Sequence, residues 1–233
     1  MEQKTGTVID DDTLRNEIKI FNLMRQTVKK VFSLNQGETP LLYGKEIDAI
    51  TSGGGFDCNP LKRIREMEAA TELEKERGKQ EWFREEVKNK PRILLTGCPT
   101  TNKKVLEIIE SCGGMVVAME NCGGLKTVGE TVDELIDPLQ ALATYYVRTA
   151  CPCMTPNQKR QDIIADIIRD YRIEGVVDLT WHGCHTYNVE ACLIKQCVNQ
   201  RCNTPYIQIE TDYTESDVGQ IKVRIEAFLE LLR

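Results

Sequence analysis

The sequence predicts an α/β fold built on an open, parallel, four-stranded sheet with helices on both faces. Four short apolar runs supply the predicted strands, Arg92–Gly97, Met115–Glu120, Gly175–Trp181 and Pro205–Glu210. A helical stretch follows each run, and strands that alternate with helices form βαβ units, as in flavodoxin-like and Rossmann-like sheets. We expect the strand order 2-1-3-4. The expected helices cover residues 102–111, 130–147, 157–171, 189–199 and 216–232.

The first ninety residues have a different pattern, with helical periodicity in place of strand-length apolar runs. Residues 11–34 have apolar side chains close to helical spacing, and residues 60–88 are helical in pattern but heavily charged. Residues 37–55, between them, are rich in turn-forming residues. The sequence therefore divides into a helical, linker-like segment over residues 1–90 and a C-terminal α/β domain over residues 91–233.

Charge and hydropathy exclude two classes of function. Lys and Arg total 30 against 36 Asp and Glu, so the formal net charge of the 233-residue chain is −6. Broad binding to nucleic acid requires a basic surface, which this balance disfavours. No apolar run is long enough for a transmembrane helix, and the N-terminus has no secretory signal pattern. We therefore expect a cytoplasmic protein with no membrane or nucleic-acid partner.

The cysteine content is unusual for such a protein. The chain has 10 Cys and 2 His. Disulfides are disfavoured in a reducing compartment, so these thiols are either inert core residues or ligands of a soft metal centre. Zinc sites more often use CxxC pairs or clustered His, whereas the closest pair here is Cys151-Pro152-Cys153.

Three cysteines follow predicted strands directly. Cys98, Cys122 and Cys184 come after the first, second and third strands. The carboxyl ends of parallel strands share one edge of the sheet, where ligand sites form, so we expect these thiols on that edge. Cys151 and Cys153 lie in a loop before a predicted helix and could reach either edge.

Two other interpretations of the cysteines stay open at this point. The remaining ones, Cys58, Cys112, Cys192, Cys197 and Cys202, fit ordinary thiols without a site. Alternatively, Cys184 could be a catalytic nucleophile with His185 or His182 as its base, because the N-terminus of a helix lowers a thiol pKa.

The motifs in order resemble a known family. Gly97-Cys98-Pro99, Glu120-Asn121-Cys122-Gly123-Gly124, the stretch from Cys184 to Glu190 (CHTYNVE) and the stretch from Ile209 to Tyr213 (IETDY) are similar to those of the 2-hydroxyacyl-CoA dehydratase D-component family. Gly219-Gln220 and the closing residues 224–228 (RIEAF) add to the resemblance, which is strongest with its double-cubane-cluster reductase branch. It covers the whole α/β domain, and residues 1–90 look like the linker of the family.

The resemblance implies an oxygen-sensitive iron–sulfur enzyme of anaerobic metabolism, acting as a lyase or an oxidoreductase. An ATP-hydrolysing activator with its own cluster would deliver electrons. In the dehydratase branch, one electron reduces the thioester carbonyl of an acyl-CoA, and the ketyl radical anion expels the neighbouring hydroxyl. In the other branch, two linked cubanes reduce small molecules. The cofactor would be a [4Fe-4S] or double-cubane cluster held by thiolates.

The resemblance also implies roles for single residues. Cys184 matches the cysteine that this part of the family contributes to its cluster, and Cys122, Cys98 and then Cys151 follow as further ligands. His185, Tyr187 and Asn188 would orient the loop or the substrate around the cluster. No catalytic residue is identified, and the choice between acyl-CoA dehydration and small-molecule reduction stays open.

The chain departs from the family at its start. The family has another α/β domain before the linker, and that domain supplies further ligands, whereas this sequence begins at the linker-like segment. The chain is then a fragment, half of a split gene whose partner is an N-terminal-half or homologous subunit, or a relative without the full cluster. We expect the isolated chain to bind iron poorly. The alternative function is a non-catalytic assembly or binding module.

Overall fold

The computed structural model describes residues 2–52 and 59–233, and it confirms the predicted α/β class. Within these ranges the sheet has four parallel strands in the order β2-β1-β3-β4, as the sequence predicts. The strands span Arg92–Gly97 (β1), Met115–Glu120 (β2), Gly175–Trp181 (β3) and Tyr206–Thr211 (β4). The first three match the predicted bounds. Strand β4 begins one residue late because Pro205 has no N–H to donate.

Helices precede the sheet and connect its strands. In the described ranges they span Glu2–Thr5 (α1), Asp11–Ser33 (α2), Gly44–Ser52 (α3), Pro60–Arg77 (α4), Glu81–Val87 (α5), Lys104–Ser111 (α6), Leu125–Val128 (α7), Pro138–Val147 (α8), Gln158–Asp170 (α9), His185–Gln196 (α10) and Val218–Glu230 (α11). A π-helical turn over Cys197–Arg201 continues α10. Helix α3 forms where the sequence predicted turns.

Two predicted helices begin at the wrong residue. The helix expected from residue 130 begins at Pro138, because the Asp137 side chain accepts a 2.8 Å hydrogen bond from the Gln140 N–H and Pro suits the first helical turn. The helix expected from residue 189 already begins at His185, with Cys184 as its N-cap. The motif from Cys184 to Glu190 therefore forms the N-cap and the first turns of α10.

The hydrophobic core covers both faces of the sheet. Every residue of β1, β2 and β3 is buried, as in a parallel sheet with helices on each face. Helix α6 packs against α11, while α10 contacts β3 and β4. Among the described strands, β4 is more open, since most of its residues are partly buried or exposed.

The N-terminal helical segment packs against the β2 side of the sheet. Asn35 is fully buried and donates from its amide to the Leu42 and Val117 carbonyls, at 2.8 and 3.1 Å. Phe32 and Ile47 belong to the same hydrophobic core as the strands. These contacts place the segment beside the second strand. The boundary between this segment and the α/β domain at residue 90 stays a prediction.

No helix within residues 2–52 or 59–233 combines the length and the apolar character needed to cross a bilayer. The predicted turn glycines 53–55 and the predicted ordinary thiol Cys58 lie outside the described residues.

Glu110 of α6 links the helical segment to the α/β domain. Its carboxylate accepts a 2.6 Å hydrogen bond from the Gly44 N–H, while its second oxygen is buried without a partner. Burial is the main cause that raises the pKa of Glu110 to about 7. The folded protein therefore favours the protonated carboxyl more than the unfolded chain does.

Substitution of Glu110 is expected to change the pH dependence of stability. Because the folded pKa lies above the unfolded value, this group costs stability as pH rises from about 4.5 to 7. Glu110→Gln should raise the free energy of unfolding by about 2 kcal/mol above pH 8 and have little effect below pH 4.5. Urea unfolding across this pH range measures the difference. The exposed Glu107→Gln on the same helix is the control, and an equal pH profile for both variants would contradict the prediction.

Candidate functional site

The carboxyl edge of the sheet collects the predicted thiols. Cys98, Cys122 and Cys184 each come directly after or within three residues of the end of β1, β2 and β3. Gly97 makes the first of these turns with a φ of +96°, and an added Cβ would lie 2.2 Å from the Leu179 carbonyl oxygen. A side chain does not fit there. Because glycine has none, the backbone at this turn can approach β3 closely.

Cys98 is buried at the end of β1. Its sulfur accepts a 3.5 Å hydrogen bond from the backbone N–H of Trp181, and 1% of the residue is exposed. Burial raises the pKa of the Cys98 thiol to about 12. The indole of Trp181 stacks on Tyr213 with a centroid distance of 4.6 Å and donates a 3.0 Å hydrogen bond to the Pro99 carbonyl, next to this thiol. Cys98 is therefore a protected, neutral thiol in this state of the chain.

Cys184 differs in its environment because it is the N-cap of α10. Partial burial opposes ionisation of Cys184, but the amide of Tyr187 and the hydroxyl of Thr186 outweigh it and lower the thiol pKa. Cys98 lies near enough that each of the two thiols affects the pKa of the other. The structure thus brings the buried thiol and the more acidic thiol together between β1 and β3.

The polar residues predicted around Cys184 differ in their exposure and hydrogen bonding. His185 and His182 are exposed, and no hydrogen bond among the described residues involves either ring. Asn188 accepts a 3.1 Å hydrogen bond from Gln208 of β4. The backbone and Thr186, not a histidine, lower the pKa of Cys184, which does not support a Cys–His nucleophile.

Tyr187 connects the second strand to α10. Its hydroxyl lies 3.7 Å from the sulfur of Cys122 and 2.5 Å from the Lys126 ammonium. The ring of Tyr187 is also contacted by cations, with Lys126 at 5.0 Å and Arg160 at 4.9 Å from its centroid. Burial raises the pKa of Tyr187 far above its usual value, so the hydroxyl keeps its proton.

Cys151 and Cys153 form a second thiol pair. Cys153 is exposed, Cys151 is half-buried, and the thiol of Cys151 raises the pKa of Cys153 while Lys126 opposes that effect. Asn157 donates a 3.0 Å hydrogen bond to the Cys151 carbonyl and another to Glu190 of α10. The loop therefore lies on the Lys126 side of the carboxyl edge, which the sequence could not decide.

The other described cysteines lie elsewhere in the fold. Cys112 ends α6, Cys192 is exposed on α10, and Cys197 and Cys202 flank the π-helical turn. In the part of the chain that the structure describes, no three His, Cys, Asp or Glu side chains are grouped closely enough to hold a metal ion. The predicted ligands thus lie on one edge but in separate groups.

A buried ion network lies beneath this edge. Arg160 of α9 is completely buried and donates to Glu120 at 3.0 and 3.1 Å, to Thr96 at 3.1 Å, and to Glu190. Thr96 also donates to Glu120 at 2.6 Å. One guanidinium therefore joins the ends of β1 and β2 to α9 and α10.

Sequence analysis missed both Arg160 and Lys126 as site residues. Arg160 lies in an amphipathic helix, where a charged residue usually faces solvent. The signal that could have found a buried cation is the carboxylates in otherwise apolar strands, Glu120 in β2 and Asp178 in β3. Burial raises the pKa of Asp178 to about 6, and one of its oxygens has no hydrogen-bond partner.

A pocket of about 400 Å³ opens near the carboxyl ends of β1 and β2. Its walls include Asp48, Thr100, Thr101, Lys103 and Asn121. The side-chain nitrogen of Asn121 is buried without a hydrogen-bond partner. The pocket is large enough for the reactive end of a small ligand.

Loss of Arg160 is expected to destabilise the protein strongly. Arg160→Met leaves Glu120 and Glu190 buried without a cation and should cost about 3–5 kcal/mol. The control Arg201→Met removes an exposed ion pair with Asp162 and should cost less than about 1 kcal/mol. Urea denaturation at pH 7 gives both values, and similar losses for the two variants would contradict a central role for Arg160.

Comparison with known proteins agrees with the motifs of the carboxyl edge. The model of the family described as 2-hydroxyglutaryl-CoA dehydratase, D-component, matches residues 1–232. An Escherichia coli (strain K12) protein with the name "Putative dehydratase subunit YjiM" is 39% identical over 235 residues, covering 100% of this chain. The chain spans 60% of the length of that curated relative. The chain belongs to the 2-hydroxyglutaryl-CoA dehydratase D-component family.

Proposed function

We propose that the chain is part of an iron–sulfur dehydratase or reductase that receives low-potential electrons from an ATP-hydrolysing activator. The observation that supports this most is the set of thiols at the carboxyl edge of the sheet, in a chain of the dehydratase family. The substrate would be an acyl-CoA, or a small molecule in a double-cubane enzyme. The nine described cysteines are all free, which suits a reducing cytoplasm.

The chemistry of the donors fits an iron–sulfur cluster. The candidate ligands are sulfur atoms, which select soft metals and iron–sulfur clusters over hard cations. Cys184, with its lowered thiol pKa, is the best placed to bind as a thiolate. Cys122, Cys98 and Cys151 would follow it, and a bound cluster would supply one-electron transfer to the substrate.

The described thiols do not make up a full ligand set by themselves. The thiols form separate groups, and no group within residues 2–52 and 59–233 has the three ligands that a metal ion needs. We therefore infer that another polypeptide or a further segment provides the missing thiolates. A partner subunit with an α/β domain would satisfy this requirement.

The residues around the thiols have separate tasks in this proposal. The Trp181 N–H donates to the Cys98 sulfur, and burial excludes water from that sulfur. Arg160 holds α10 against the ends of β1 and β2, so that the first turn of α10 keeps its position beside the strand ends. Asn121 lines the adjacent pocket, and its side-chain nitrogen has no hydrogen-bond partner among the described residues.

Cluster assembly is expected to require both a partner and Cys184. The chain is produced anaerobically, alone and together with a candidate α/β partner subunit, and iron, sulfide and visible absorption are measured. We expect little iron on the chain alone and a brown complex with the partner. Cys184→Ser should abolish most of the colour, because the thiolate expected to bind the cluster is lost.

Cys192→Ser is the matched control, because Cys192 lies on the same helix but is exposed and away from the other thiols. It should retain the colour of the complex. Stoichiometric iron and sulfide on the chain alone would overturn the inference of an incomplete ligand set. A colourless complex with every partner would overturn the iron–sulfur function and favour an assembly module.

A further inference from the structure

We propose that Lys126 is a positioning residue that directs the hydroxyl proton of Tyr187 at the sulfur of Cys122. The fold brings these three side chains together at the end of β2 and the start of α10. Any effect of this contact on a cluster rests on the proposed function, but the hydrogen bonds themselves exist in the chain without a cofactor.

The direction of these hydrogen bonds follows from what each group can do. An ammonium has only donors, so at 2.5 Å Lys126 must donate and the Tyr187 oxygen must accept. The hydrogen of Tyr187 is then left to find another acceptor. Tyr187 is 5% exposed, and the Cys122 sulfur at 3.7 Å is the other acceptor that its hydroxyl contacts among the described residues.

The position of Lys126 supports a dedicated role. Only 6% of the residue is exposed, and no carboxylate in the described ranges lies within 4 Å of its ammonium. A buried lysine normally has a negatively charged partner, because burial without one is costly. Here the ammonium contacts a tyrosine instead, both through the hydroxyl and across the ring at 5.0 Å.

The local backbone holds this arrangement. Gly124, two residues after Cys122, lies so close to β2 that an added Cβ would be 2.2 Å from the Met119 carbonyl oxygen. This tight turn brings Lys126 back beneath the strand end. Tyr187 is fixed in turn by Arg160, whose guanidinium lies 4.9 Å from the ring centroid.

The consequence is a hydroxyl that donates its hydrogen to the Cys122 sulfur. Hydrogen bonds to ligand sulfurs make the reduction potential of an iron–sulfur cluster less negative. They also reduce the nucleophilicity of a free thiolate, because they stabilise its negative charge. The second effect can be measured without any cluster.

The test is the alkylation of Cys122 by iodoacetamide in the full, metal-free chain under anaerobic conditions. Peptide mass spectrometry gives the rate at several pH values, and the pH-independent rate constant of the thiolate is compared between variants. Tyr187→Phe and Lys126→Met should each raise it about two- to fivefold, since the first change removes the hydrogen bond and the second leaves the hydroxyl without the donor that orients it. The exposed Cys192 in the same sample reports general unfolding and should keep its rate.

The double variant distinguishes a positioning role of Lys126 from a direct effect of its charge on Cys122. If Lys126 acts through Tyr187, Lys126→Met should have no further effect in the Tyr187→Phe background. An undiminished effect there would mean that Lys126 acts directly by its charge and would overturn the proposal. Unchanged Cys122 rates in both single variants would overturn it as well.

A second measurement applies where the cluster assembles with a partner. Tyr187→Phe should then make the midpoint potential more negative, and Lys126→Met should shift it in the same direction. An unchanged potential together with altered alkylation would show that Cys122 is not a cluster ligand, which overturns that part of the proposed function and leaves the positioning role intact. Failure to assemble a cluster likewise leaves the alkylation result unaffected.

Discussion

The buried guanidinium of Arg160 is the interaction on which the site depends. Glu120 and Arg160 have no exposed side-chain surface, and Glu190 has very little. Two carboxylates at the end of a sheet would repel one another in a medium of low polarity, so they tolerate burial only around a cation. The network gives little net stability compared with apolar packing, but it fixes the orientation of α10 against the strands. The first turn of α10 then places Cys184 and Tyr187.

The same fold gives the two neighbouring thiols opposite properties. Cys98 is buried at the end of β1, where loss of solvent is the main effect on its thiol, so its proton is held tightly. Cys184 ends a loop and begins a helix, where backbone amides favour a thiolate. The ends of two adjacent strands therefore carry one thiol that stays neutral and one that loses its proton more readily.

Most of the fold could be predicted from the sequence, but the residues that hold the candidate site in position could not. Strands β1, β2 and β3 match their predicted bounds because short, continuous apolar runs with glycine ends have few alternatives. The start of α10 was placed too late, since Cys184 is not a usual N-cap residue. The role of Arg160 could not be predicted, because helical periodicity alone does not show which polar residue faces a buried carboxylate.

The candidate ligands show the remaining limit of local sequence patterns. Position after a strand correctly places Cys98, Cys122 and Cys184 on one edge, because the geometry of a parallel sheet requires it. It does not give their spacing, which depends on other elements: the Tyr187 hydroxyl lies beside Cys122, and the Trp181 backbone N–H donates to the Cys98 sulfur. The described thiols stay in separate groups, because following a strand brings a residue to the edge but does not bring three side chains together. In the proposed enzyme, further sulfur donors would meet these thiols at the carboxyl edge.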